Sequence, residues 1–179
     1  MDQVVTLGPR ISAVPADTTS EPLAKLFAGV AEHYGAPPSL GQRLIANHPG
    51  LYRRWLALGS ELLTNGSLPA ELRELAILRV AHNTGCEYEW RSHGRAALLA
   101  GLPEAMLASW KTSPKADWPD ARWALVTELA DDLHLKSTVD DVLWDRLRAE
   151  FSVELILELV FLIGHYTTTA YALNLLRAT

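Results

Sequence analysis

Residues 71–102 read ELRELAILRVAHNTGCEYEWRSHGRAALLAGL, and their pattern decides the fold. From Leu72 to Ala81 the stretch is apolar on nearly every face except at Arg73, Glu74 and Arg79, as in a helix buried within a core. Asn83-Thr84-Gly85 breaks that helix. A second follows at once, and Ala96, Ala97, Leu98 and Leu99 turn part of it inward. Residues 68–83 and 85–100 therefore read as an antiparallel helical hairpin. Glu74, ten residues before Thr84, comes level with His93, nine residues after it. A carboxylate among Leu75, Ile77, Leu78 and Ala81 has to be paired, hydrogen-bonded or protonated, and such groups cluster where chemistry happens.

Thr84-Gly85-Cys86-Glu87 has the spacing of a capping box. With Thr84 as N-cap, Cys86 falls in the first turn, where the helix dipole and free N–H groups lower a thiol pKa and favour a thiolate. Cys86, Glu89 and His93 at i, i+3 and i+7 then share one face, with neighbouring Cβ atoms about 5–6 Å apart. Cys86 and His93 lie about 10 Å apart along the axis, with Glu89 between them. The expectation is one pocket holding Glu74, Cys86, Glu89 and His93. Trp90 is placed to wall it, although an aromatic at helical spacing is more often core. His165 and Tyr166 on the last helix are candidates for the same pocket or for a subunit contact, with a satisfied core pair an equal expectation. No metal site is expected: one ion at about 2.0–2.3 Å from each of three ligands would have to span two turns, and neither HExxH nor CxxC is present.

The stretch from Arg73 to Leu102 closely resembles the carboxymuconolactone decarboxylase family, which includes the alkylhydroperoxidase D-like proteins. The resemblance is strong from Leu51 to Leu102 and weaker toward the C-terminus. Peroxidases of that family carry Glu, then Cys-x-x-Cys, then His four residues after the second Cys. Matched residue by residue, these positions fall on Glu74, Cys86, Glu89 and His93, so this chain is a single-cysteine Cys-x-x-Glu variant. The family's peroxidase cycle closes a disulfide between its two thiols, which one cysteine cannot do internally. The resemblance also implies an all-α fold of the alkylhydroperoxidase D-like type, a homo-oligomer (trimer or hexamer), no cofactor, and a pocket place for Tyr88, which lies off the Cys86/Glu89/His93 face.

Outward from the hairpin every signal is helical. Ser20-Glu21-Pro22 starts a helix with Leu23, Leu26, Phe27 and Val30 as its stripe, and Gly35-Ala36-Pro37-Pro38 ends it. Ser39 caps a short helix, His48-Pro49-Gly50 is a break, and Leu51 to Leu63 form another helix closed by Asn65-Gly66. Pro69 enters the first turn of the buried helix. After Gly101 come a short helix at residues 104–110 and a polar linker at residues 111–119. Three further helices follow at residues 121–133, 140–148 and 152–176. The apolar run from Val153 to Gly164, interrupted by Glu154 and Glu158, is too short and too charged to span a membrane. The expected architecture is a compact bundle of about eight or nine helices, with residues 1–19 as an extended N-terminal arm and 20–179 as one domain.

A net charge of -5 without a basic run argues against nucleic acid as a partner. One cysteine excludes a disulfide framework, and residues 1–19 lack the apolar core of a signal peptide, so a cytoplasmic protein is expected. Three functions are in play. The first is an enzyme performing acid-base chemistry of decarboxylation, lyase or isomerase type on a small organic acid, lactone or enone. His93 would be its acid or base, Glu89 its orienting partner or second proton carrier, and Glu74 the end of the relay. The second is a thiol peroxidase in which Cys86 attacks peroxide and an external thiol resolves the sulfenic acid. Glu89 tells against it, because a carboxylate one turn away raises a thiol pKa. The third is a non-catalytic scaffold that retains a relic of the site.

Overall fold

A computed structural model describes residues 8–110 and 120–178. Nine α-helices are present among them, and no strand: α1 Glu21–Tyr34, α2 Leu40–Ile45, α3 Pro49–Ser60, α4 Ala70–Asn83, α5 Glu87–Leu99, α6 Glu104–Trp110, α7 Ala121–Lys136, α8 Asp141–Glu150 and α9 Val153–Leu176. A π-helical turn, Glu61–Asn65, prolongs α3 where the sequence suggested a uniform helix. The polar linker at residues 111–119 and the first seven residues of the expected arm lie outside the described residues. From Gly8 to Ser20 the arm forms no helix. It crosses α2 and the end of α9, with Arg10 N–H donating to the Leu176 carbonyl and Val14 N–H to that of Arg43.

The bundle is built around α4. Leu72, Leu75, Ala76, Ile77, Leu78, Val80 and Ala81 are all buried, and α5, α7 and α9 pack around them. Two charged residues are buried on the same helix. Arg79 forms a forked pair with Asp131 of α7 at 2.6 and 2.7 Å, geometry that suits a planar guanidinium, and Asn83 adds a bond to the same carboxylate at 2.9 Å. Glu74 belongs to the site.

Pro69 is the N-cap of α4 and has no side-chain donor or acceptor to offer the helix start. That role falls to α9: the Glu158 carboxylate accepts from the backbone N–H groups of Ser67 and Leu68, both at 3.0 Å. Gly66 leaves room for it, because an added Cβ would displace that carboxylate. At the other end of α4, Asn174 Nδ2 donates to the Thr84 carbonyl at 2.8 Å. So α9 holds α4 at both ends.

The turn into α5 departs from the sequence expectation. Cys86 N–H donates to the Ala81 carbonyl at 2.8 Å and Gly85 N–H to that of His82 at 3.1 Å, with Gly85 at φ +61°. This is a Schellman motif, which needs a left-handed residue that glycine adopts without strain. Thr84 is consumed as the C-cap of α4, its hydroxyl donating to the Val80 carbonyl at 2.7 Å. No capping box with Glu87 forms, and Cys86 itself becomes the N-cap of α5.

α9 is 24 residues long and, by length and composition, the one described helix apolar enough to cross a membrane; 44% of that span is buried inside the chain. The sequence suggested a shorter apolar run, because the helix continues beyond Gly164 through Tyr166, Ala170 and Leu173, all of them core residues. Its other face carries Val153, Leu157, Phe161, Tyr171 and Leu175, all exposed.

Candidate active site

Four side chains from α4 and α5 form a chain of polar contacts. Arg73 Nε donates to Glu74 Oε1 at 3.2 Å, Glu74 Oε2 meets His93 Nδ1 at 2.8 Å, and His93 Nε2 faces Glu89 Oε2 at 3.4 Å. The hairpin explains the meeting: Glu74 and His93 stand opposite each other across the turn, while Glu89 is one helical turn before His93 on α5. The 2.8 Å contact of Glu74 Oε2 with His93 Nδ1 holds the ring with Nε2 toward Glu89.

Both carboxyls are withdrawn from water, Glu74 at 3% exposure and Glu89 at 7%. Burial pushes the Glu89 pKa above its ordinary 4.5, and the neighbouring imidazole offsets this only in part. Glu89 thus keeps its proton to higher pH than a surface glutamate. Glu89 Oε2 faces His93 Nε2 across 3.4 Å, so a proton on the acid can pass to the ring.

Glu89 and His93 open on a cavity of about 330 Å³. Its walls come from distant parts of the chain: Tyr34 at the end of α1, Ser39 and Gln42 around α2, Trp55 of α3, Tyr88 of α5 and Tyr166 of α9. Tyr166 is buried and meets His93 edge-on, ring centroids 5.0 Å apart. Tyr88 is held by α2, its hydroxyl accepting the Gly41 N–H at 2.9 Å. The approach is so close that a Cβ at Gly41 would lie 3.0 Å from the Tyr88 ring.

Cys86 does not share this cavity. At 1% exposure it sits in a separate apolar cluster with Leu44, Ala170 and Leu173. The helix-face argument fails because Cys86, as N-cap, has non-helical dihedrals (φ -88°, ψ 88°), which turn its side chain off the Glu89/His93 face. Its thiol pKa is raised, and not lowered as the sequence suggested. Burial outweighs the helix N–H groups of Glu89 and Tyr88 that would favour a thiolate, and the Glu89 charge adds to the rise. Trp90 packs against the main core and is not part of the wall. His165 faces a different groove, between α3 and α9, where it stacks on Trp55 with centroids 5.4 Å apart. Among the described residues no group of three His, Cys, Asp or Glu could hold a metal ion.

The sequence profile of the carboxymuconolactone decarboxylase family matches residues 49–127, a region that includes Glu74, Cys86, Glu89 and His93. An uncharacterized peroxidase-related protein from Silicibacter sp. TM1040 superposes with a TM-score of 0.81 at 16% identity, over 99% of this chain and 95% of that one. The alkylhydroperoxidase AhpD core of a peroxidase-related protein from Ralstonia eutropha JMP134 gives 0.81 at 17% identity, over 96% and 91%. Residues 49–127 thus match the carboxymuconolactone decarboxylase family, and the chain has the AhpD-like fold. The fold is also similar to that of the debrominase Bmp8, solved with 2,3,4-tribromopyrrole, which superposes with a TM-score of 0.73 at 13% identity over 97% of this chain and 92% of that one. Compared with curated protein sequences, the chain finds no match.

The resemblance puts Glu89 where the family's peroxidases carry the second cysteine of Cys-x-x-Cys. A carboxyl therefore stands beside the histidine in place of a thiol. Sequence reasoning missed Arg73, Tyr34, Ser39, Gln42 and Trp55. Arg73 had a signal, as a cation adjacent to a buried carboxylate. The others reach the site only through the packing of α1, α2 and α3, which no spacing within the hairpin encodes.

Proposed function

We propose that this protein is an enzyme that moves protons to and from carbon in a small organic acid, lactone or enone, in a decarboxylase, lyase or isomerase type of reaction. The observation that carries the proposal is the polar chain Arg73–Glu74–His93–Glu89, which ends at a cavity of about 330 Å³. When the shared proton sits on His93 Nε2, Glu89 is a carboxylate facing the cavity and can take a proton from carbon. When the proton sits on Glu89, the acid can return it. Glu74 holds the ring in one orientation and offsets the positive charge of the imidazolium, as the carboxylate of a hydrolase triad does. Arg73 donates to Glu74 Oε1 at 3.2 Å and so sets a cation beside the buried carboxyl.

The thiol-peroxidase alternative has less in its favour. Its nucleophile, Cys86, would have to be a thiolate open to peroxide, and it is a buried thiol with a raised pKa outside the cavity. The single cysteine also fits a reducing compartment, and we take the cytoplasm as the place of work.

The test is deuterium exchange. The protein is incubated in D2O with a panel of small lactones, enones and carboxylic acids, and incorporation at carbon is followed by NMR. Exchange should fall at least a hundredfold in His93→Ala and in Glu89→Gln, and more than tenfold in Glu74→Gln, with helical content unchanged. Exchange that survives in His93→Ala, or peroxide turnover that disappears in Cys86→Ser, would count decisively against the proposal.

A further inference from the structure

The groove between α3 and α9 holds about 560 Å³ and, among the described residues, shares only Trp55 with the lining of the catalytic cavity. His165 lines it and is more than nine-tenths buried, at 8% exposure. Neither ring nitrogen has a hydrogen-bond partner among the described residues. A buried imidazole normally finds one, so this ring marks a position for a ligand atom. Burial brings its pKa down to about 4, so at pH 7 the ring is neutral and offers one N–H donor and one bare nitrogen.

Two glycines shape the groove. Gly164 lies in the middle of α9, where glycine weakens a helix, and an added Cβ would meet nothing within 4 Å. Packing within the chain does not call for it, and the space it leaves belongs to the groove. Gly59 of α3 admits the imidazole, since a Cβ there would lie 3.0 Å from His165 Nε2. Leu51, Leu58, Val160 and Phe161 make apolar walls, and no acidic residue is among the described ones that line them. Arg54 is the one charge in the lining. It donates to the Gly50 carbonyl of its own helix at 3.1 Å and has no carboxylate partner among the described residues. Gly50 and Gly59 are nine residues apart, about 13 Å along α3, so the cation and the imidazole stand at separate levels of one groove.

We infer that this groove is a second binding site, for an aliphatic carboxylate with a hydroxyl several carbons away, the carboxylate paired with Arg54 and the hydroxyl bonded to His165. The arginine holds the carboxylate through charge-assisted hydrogen bonds. A hydroxyl both donates and accepts, so it satisfies a neutral imidazole in either tautomer, whereas a second charge at that depth would be stripped of water. The methylenes between the two groups lie on Leu58 and Phe161, burying apolar surface on both sides. The site stands apart from the proton transfer at His93 and does not depend on it.

Calorimetric titration at pH 7 with 8-hydroxyoctanoate, octanoate and octane-1,8-diol tests this. The hydroxy acid should bind once per chain, about fivefold more tightly than octanoate and about tenfold more tightly than the diol. Arg54→Gln should abolish the margin over the diol. His165→Phe, which keeps a ring against Trp55, should abolish the margin over octanoate. Gly164→Leu fills the groove and should weaken the hydroxy acid about tenfold or more without lowering the melting temperature. His93→Ala should leave its affinity unchanged. If His165→Phe does not fold, the His165 ring resonances of wild type decide, and they should shift along the same saturation curve. Absence of binding, equal affinity for the hydroxy acid and octanoate, full affinity in Gly164→Leu, or unmoved His165 resonances overturn the inference. Affinity lost in His93→Ala would place the ligand in the catalytic cavity and overturn it as well, while leaving the proton transfer proposed there untouched.

Discussion

Acid should destabilise this protein through His165, and the size of the effect follows from its surroundings. The ring is buried between Trp55 and Tyr166 at the α3/α9 groove, where Arg54 is the one charged residue in the lining. Burial disfavours the charged form and pushes its pKa from the ordinary 6.5 down to about 4. The unfolded chain therefore binds a proton that the folded chain refuses, so the stabilisation is complete above about pH 6.5 and is lost as pH falls toward 4. At about 1.4 kcal/mol per pH unit, the whole window is worth about 3 kcal/mol, of which roughly 2 kcal/mol is gone by pH 4.5. Urea denaturation of wild type and His165→Leu, followed by circular dichroism at pH 7.0 and 4.5, isolates this term, because the other titrating groups are common to both proteins. Wild type should lose about 2 kcal/mol more than the variant between the two pH values. Equal losses would refute the account and place the acid sensitivity elsewhere.

Glu158→Ala removes a charged acceptor from two backbone N–H groups at the entrance to α4 and should cost about 2 kcal/mol in urea denaturation, with a similar loss in Gly66→Ala. Cys86 should react with a thiol reagent in native buffer at least a hundredfold more slowly than in urea, and peroxide treatment followed by mass spectrometry should show no intramolecular disulfide. The open face of α9, with Phe161 58% exposed among Leu157, Tyr171 and Leu175, should be covered by further copies of the chain. Light scattering should therefore give a multiple of 19.7 kDa for wild type, and a lower multiple for Phe161→Glu.

The hairpin and its central contact could be read from the sequence because both are local. Arm lengths on either side of Thr84 set Glu74 against His93, and the i, i+4 spacing sets Glu89 beside it. The direction of Cys86 could not be read, because Thr84 suits two roles. A threonine followed by glycine satisfies either the start of α5 or the end of α4, and the Schellman hydrogen bonds decided for the end. Tyr88 and Trp90 are two residues apart on one helix and face different neighbours, α2 and the main core, so nothing short of tertiary packing separates their roles. His165 and Tyr166 divide similarly between two grooves on either side of α9.

The two clamps that α9 places on α4 have equal spans. Sixteen residues separate Leu68 from Thr84, which flank the fourteen-residue α4, and sixteen separate Glu158 from Asn174, about 24 Å of rise along α9. The last helix is thus a caliper for the helix that carries Glu74. Deleting one residue of α4 anywhere between the jaws would shorten it by about 1.5 Å and turn everything beyond the cut by about 100°. One jaw would have to open, and Glu74 would lose its alignment with either the clamp at its start or the histidine across the turn. Insertions and deletions that the surface loops of this chain absorb are closed to α4 unless α9 changes length in step. The two helices can drift in composition, but in length they are one element.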